Sequence, residues 1–78
     1  MYYTYVLKSK LDKKLYIGFT DNLKNRILSH NKGKVNATRN RRPLELVYYE
    51  ACKNKTKAIE REKYFKTGFG RRFLKKRI

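Results

Sequence analysis

Glu62 is the most informative acid in the chain. Helical spacing puts Ala58, Ile59, Phe65 and Phe69 on one stripe, with Glu62 four residues after Ala58 and three before Phe65. A carboxylate on the apolar side of a helix is costly unless it is paired or bound to a metal. The chain has only 6 acidic residues to place. Two readings stand: an ion pair with a neighbouring Arg at the core edge, or a hard-oxygen ligand for Mg²⁺ or Mn²⁺. Such ions are commonly held by one or two carboxylates together with substrate phosphates. Arg26 and His30 are four apart, so they share one helix face. They read either as a solvated face with a surface histidine, or as a guanidinium gripping a phosphate with an imidazole one turn away to orient or protonate it. Tyr5 and Tyr16 belong to two neighbouring strands. With 7 tyrosines in the chain most must be structural, and a phenol of pKa about 10 acts as a base only under strong positive potential.

The elements that must position these groups follow from local patterning. Residues 2–8 are β-branched and aromatic, residues 9–14 polar, and residues 15–20 apolar again, which predicts a β-hairpin. Gly18 interrupts the second strand, where a glycine often marks a bulge or a point where another backbone or a ligand comes close. Thr20, Asp21 and Asn22 are all good caps for a helix from Leu23 to about Asn31, with Leu23, Ile27 and Leu28 on its buried side. Leu44 to Glu50 is a third strand, and its unbroken run Leu46–Tyr49 predicts a central or well-covered position. Thr56 is expected to cap a second helix over 57–67, and Gly68 to end it in a left-handed conformation. The tail from Phe69 is expected to form a short terminal helix that packs its Phe and Leu side. Strand, strand, helix, strand, helix is the order of an α+β domain, a small antiparallel sheet with helices against it.

Charge narrows the function. Among 78 residues, 22 Lys and Arg against 6 Asp and Glu give +16, a surplus that calls for a polyanionic partner. At 40% apolar and 14% aromatic the chain is too rich for a disordered basic tail. No apolar run approaches the ~20 residues of a spanning helix. No secretion signal pattern opens the chain, so an intracellular, soluble location is expected, cytoplasmic and nucleoid-associated. Cys52 is alone, and Cys/His metal-site spacing is absent. Residues 1–78 are expected to form one domain. The basic loop (Lys32, Lys34, Arg39, Arg41, Arg42) and the tail (Arg71, Arg72, Lys75, Lys76) are expected to contact phosphate backbone. Contacts of this kind supply affinity without sequence readout.

In order along the chain, these pieces resemble the GIY-YIG nucleases. Tyr3-Thr4-Tyr5, ten intervening residues, then Tyr16-Ile17-Gly18 is similar to the paired signature of that family. Arg26 and His30 fit its Arg-x-x-x-His, and Ala58 to Glu62 resembles the segment that carries its metal-binding Glu. The stretch from Gly33 to Tyr48, with Thr38-Arg39 and Arg42 to Tyr48, resembles the short stand-alone bacterial members. Those are related to the N-terminal nuclease domain of the excision-repair incision enzyme. The resemblance implies a three-stranded antiparallel sheet flanked by helices and a one-metal phosphodiesterase. By resemblance, Tyr5 is the general base or orients the attacking water, and Tyr16 supports it. Arg26 stabilises the scissile phosphate, His30 assists proton transfer, Glu62 holds one Mg²⁺ or Mn²⁺, and Gly18 lets the second strand pass close to the site. Tyr3 and Thr4 replace the family's Gly and Ile, and no Asn follows Asn54 where many active members use one.

The function expected is a metal-dependent DNA endonuclease of low intrinsic sequence specificity, in repair or recombination. Its substrate is expected to be branched, damaged or non-specific duplex DNA, with targeting by the chain itself or by a protein partner. The competing expectation is a nuclease-fold protein that binds nucleic acid and cleaves slowly or not at all. A small RNA- or ribosome-associated protein is a third, which leaves Glu62 unexplained.

Overall fold

A computed structural model describes all 78 residues. Strands β1 (Tyr2–Ser9), β2 (Leu15–Thr20) and β3 (Leu44–Cys52) form one antiparallel sheet in the order β2-β1-β3. Helix α1 (Leu23–Asn31) follows the hairpin, α2 (Lys55–Phe65) follows β3, and α3 (Gly68–Lys75) closes the chain. The expected α+β architecture is therefore present, with three helices. No helix is long and apolar enough to cross a membrane.

Strand alternation divides the core in two. Val6 and Ile17 pack with Phe65 and Leu74 on the side of α2 and α3. Tyr5, Leu7 and Leu44 gather on the other side with Leu23 and Ile27 of α1. β1 is thus covered on both faces, and Thr4 to Leu7 are all buried. Thr4 adds a polar staple: its Oγ1 donates to the Ala58 carbonyl of α2 at 2.7 Å. The Thr4 hydroxyl therefore ties β1 to the helix that carries Glu62.

Leu28, expected on the buried side of α1, is exposed, and only Leu23 and Ile27 of that helix pack on the core. Three further local expectations need correction. β3 lies at an edge of the sheet, and its apolar run has another cause. Val6 pairs with Tyr48 and Leu7 with Leu46, so Val47 is an extra residue in a bulge. The bulge turns Val47 and Tyr48 toward one core and Leu46 toward the other, while Tyr49 is left exposed. Second, α2 is capped by Asn54, whose side chain accepts from the Lys57 N–H, and it runs Lys55–Phe65 rather than 57–67. Asn caps at least as well as Thr and is reached first along the chain. Third, Gly68 opens α3 instead of ending α2 in a left-handed turn. Thr67 caps α3 by accepting from the Gly70 N–H at 3.1 Å. It is Gly70 that lacks room for a side chain, because α3 there meets the last turn of α2. Ending α2 early also takes Phe69 out of the expected stripe, and it is 70% exposed.

The segment between α1 and β3 is ordered by side-chain bonds to backbone. Asn31 donates to the Leu44 carbonyl and accepts from the Leu44 N–H, as a neighbouring strand would. Arg41 reaches Asp12 at 2.7 Å and the Lys14 carbonyl at 3.1 Å, and Arg42 donates to the Arg39 carbonyl. These bonds hold Thr38 under α1, where it is fully buried.

Candidate active site

The site is built on the pairing of Tyr5 with Gly18 across β1 and β2. A Cβ at position 18 would overlap the Tyr5 ring and hydroxyl, so the glycine provides the space in which that phenol lies across β2. The sequence predicts a backbone or a ligand close to Gly18; what comes close there is the Tyr5 side chain. The hydroxyl is gripped from α1. Arg26 Nε–H donates to Tyr5 Oη at 3.3 Å, and His30 Nε2 lies 2.9 Å from the same oxygen. The spacing of four on α1 thus places both side chains on one phenol. Tyr16 stands beside them, its ring 5.0 Å from the His30 ring and 6.5 Å from that of Tyr5.

His30 is not a surface residue. It is fully buried, and its Nδ1 lies 2.7 Å from Thr38 Oγ1. Burial, with the Arg26 charge nearby, pushes its pKa down to about 4, so the ring is neutral near pH 7. Burial also raises the Tyr5 pKa, and this outweighs the Arg26 hydrogen bond, which favours phenolate. The net cationic character of the chain does not by itself ionise this phenol, because its burial outweighs the nearby positive charge. Arg26 is held charged by its bond to Tyr5. Its guanidinium opens onto a concavity of about 300 Å³ that is also lined by Tyr2, Phe19, Thr20, Asp21 and Lys55.

Glu62 is half-buried on α2 and close enough to Tyr5 for its charge to disfavour phenolate, without bonding to it. Its carboxylate pairs with Lys66 one turn on, at 3.2 Å, rather than with an Arg. Tyr5, Tyr16, Arg26, His30 and Gly18 therefore form one connected cluster, and Glu62 sits at its margin. No three His, Cys, Asp or Glu side chains converge anywhere in the chain. A single accessible carboxylate nevertheless fits Mg²⁺ or Mn²⁺, which keep several waters and take further oxygens from substrate phosphates.

The cations expected to meet phosphate fall into two sorts. Lys32, Lys34, Arg39, Arg71, Arg72, Lys75 and Lys76 are exposed. Arg41 and Arg42 spend part of their donor capacity on the loop, as described. At the hairpin end, Arg41, Arg71 and Lys75 join Lys13 and Lys14 around a concavity of about 450 Å³ whose lining contains no acid. Lys55 does not stand out as a site residue in the sequence, where it looks like any other surface charge. Thr38 stands out there only as part of the Thr38-Arg39 stretch of the resemblance, with no role in the site assigned to it.

This sheet, with a tyrosine-arginine-histidine cluster at its hairpin, defines a class. A model described as the GIY-YIG catalytic domain matches residues 1–76, and the chain belongs to that family of nuclease domains. Its similarity is to the short UPF0213 proteins. The one from Clostridium perfringens is 49% identical over 67 residues, covering 85% of this chain and 71% of that protein. The one from Bacillus pumilus is 46% identical over 67 residues, covering 85% and 67%. The solution NMR structure of a UPF0213 protein from Bacillus halodurans has a TM-score of 0.58 at 33% identity, covering 95% of this chain and 82% of that one.

Proposed function

We propose that this chain is a divalent-metal-dependent DNA endonuclease of low intrinsic sequence specificity that serves DNA repair or recombination on branched, damaged or non-specific duplex. One observation carries the reading: Arg26 and His30 converge on the buried Tyr5 hydroxyl, beside a concavity to which the same arginine opens. A fold that needed only a core tyrosine has no use for a charged guanidinium there.

The roles are those that the family resemblance implies, and the positions of the side chains support them. Arg26 binds the scissile phosphate and offsets the charge that develops on it. Tyr5 orients the attacking water, and Tyr16 walls the phenol and imidazole in place. As water oxygen bonds to phosphorus, the ester P–O bond breaks; the water proton passes to solvent, and the departing oxygen takes a proton from solvent. Glu62, once released from Lys66, would hold one Mg²⁺ or Mn²⁺, whose chemistry is to polarise the phosphate and lower the pKa of nearby groups. The exposed Lys and Arg residues of the loop, hairpin end and tail track the DNA backbone. Targeting to a particular lesion or junction falls to a protein partner.

The second reading, nucleic-acid binding with little or no cleavage, is favoured by the Glu62–Lys66 pair and by the absence of an Asn after Asn54. Plasmid nicking with Mg²⁺ or Mn²⁺, against EDTA, separates the two. Wild type should nick only with metal, and Glu62→Ala and Tyr5→Phe should lose about 10²–10⁴-fold while retaining DNA binding. Equal nicking by all three proteins would remove the enzymatic reading from this site.

A further inference from the structure

Two aromatic rings at the open end of the hairpin take no part in either core. Tyr2 begins β1 and Phe19 lies one residue from the end of β2, and neither packs on the two buried clusters. The pairing of Thr4 with Phe19 explains why the rings meet. Alternate side chains of a strand share a face, so Tyr2 lies on the side of Thr4 and hence of Phe19. Their centroids are 6.0 Å apart with an interplanar angle of 12°. At that separation near-parallel rings are offset, so each leaves part of a face uncovered by the other. Both side chains are only half-buried.

The same two rings line the concavity of about 300 Å³ onto which Arg26 opens. Lys55 joins them because Cys52 pairs with Tyr2, so the helix that follows starts beside the first residue of β1. Asp21 is also in the lining, and it belongs to none of the three ion pairs of the chain. A cleft for phosphate alone has no use for two aromatic rings or a free carboxylate. Each group has a use when a whole nucleotide enters. Guanidinium and ammonium take phosphate, an aromatic face takes a base, and a carboxylate accepts from the amino group of a base. The volume is at the lower end for clefts that hold a small organic ligand, the size class of one nucleotide and far below that of a duplex.

We propose that this concavity is a subsite for one unpaired base of DNA, stacked on Tyr2 and Phe19, with Arg26 and Lys55 on its flanking phosphates. A base inside a duplex has both faces covered by its neighbours, so only one that has left the stack can use this surface. The inference rests on the nuclease reading for its consequence, which is that the scissile phosphate lies next to an unpaired nucleotide, as at a bulge, a branch or a damaged pair. The binding itself needs neither metal nor cleavage.

The test is DNA binding in EDTA, followed by fluorescence anisotropy, with three short duplexes of otherwise identical sequence. One is fully paired, one carries a single-nucleotide bulge, and one carries an abasic nucleotide in that bulge, which keeps the backbone and removes the base. Wild type should bind the base-containing bulge about 10-fold more tightly than either of the others, the order of one base–aromatic stack. Phe19→Leu and Tyr2→Leu keep apolar bulk and remove the flat face. Each should lose most of this preference and bind paired duplex as wild type does. Equal wild-type affinity for the base-containing and abasic bulges overturns the proposal, and decides by itself if the variants do not fold. A preference that survives both substitutions in folded protein overturns it as well. Wild type that shows the preference and nicks no plasmid with Mg²⁺ or Mn²⁺ overturns the nuclease reading alone.

Discussion

Tyr5 occupies the volume that a side chain at Gly18 would need, on the strand paired with its own. The phenol, 1% exposed, is therefore placed by the absence of an atom on β2 as much as by contacts on α1. Gly18→Ala should push the ring away from Arg26 and His30, at a cost of roughly 1–3 kcal/mol in stability. Displacement of about 1 Å at a reacting group costs ~10²-fold in rate. Thermal unfolding and plasmid nicking of Gly18→Ala measure the two effects. A variant with wild-type nicking would show that Tyr5 need not lie over β2.

His30 makes stability pH-dependent in a defined direction. Its pKa is about 4 in the fold against 6.5 for an unperturbed imidazole, so between those values the unfolded chain binds a proton that the folded chain does not. Stability should therefore rise with pH from about 4 to 6.5 and level off above, with His30 accounting for ~3 kcal/mol at most. Urea unfolding at pH 4.5, 5.5 and 7 measures the slope, and His30→Gln should flatten this part of the curve.

Cations at the hairpin end should act on DNA affinity rather than on chemistry. Replacing Lys13, Lys14, Arg71 and Lys75 by Ala removes four of the five charges around that concavity. The slope of log K against log salt should become shallower by up to about 3–4, close to 0.9 for each phosphate that is no longer neutralised. The weakening should be uniform across DNA sequences. Gel shifts at several salt concentrations read it directly, and an unchanged slope would exclude this surface from the DNA track.

The Glu50–Arg61 pair ties β3 to α2. Arg61 donates to both carboxylate oxygens, at 2.9 and 2.8 Å, and Tyr48 Oη–H donates to Glu50 at 3.0 Å. The Arg61 bonds hold the Glu50 carboxyl below its ordinary pKa, so the pair's contribution is complete above about pH 4.5 and is lost as pH falls through the lower folded value. Glu50→Gln should cost roughly 0.5–1 kcal/mol at pH 7, since both groups are partly solvated, and the difference from wild type should shrink toward pH 3. Urea unfolding of the variant beside wild type at pH 3 and pH 7 measures it.

Much of the fold was legible because it rests on local rules. The β-branched and aromatic residues of 2–8, the apolar residues of 15–20 and the polar stretch between them specify a hairpin. The helix from Leu23 to Asn31 was visible from its caps and apolar spacing, and it delivers Arg26 and His30 to one face without further help. Errors arose where two local solutions compete or where pairing alters the pattern. Asn54 and Thr56 are both capable caps, and the choice between them depends on how the chain leaves β3. The run Leu46–Tyr49 looks like a central strand because the sequence does not disclose a bulge, which exists only relative to a partner.

By itself, the order of residue types determined the class of sheet, the shared helix face of Arg26 and His30, and a surface that repels itself unless it meets a polyanion. Tertiary structure alone decided that His30 is buried against Thr38, that Glu62 is bridged to Lys66 at the margin of the cluster, and that Tyr5 stays protonated in the free protein. Each of these depends on desolvation and on neighbours brought together by the fold, and neither is encoded in spacing.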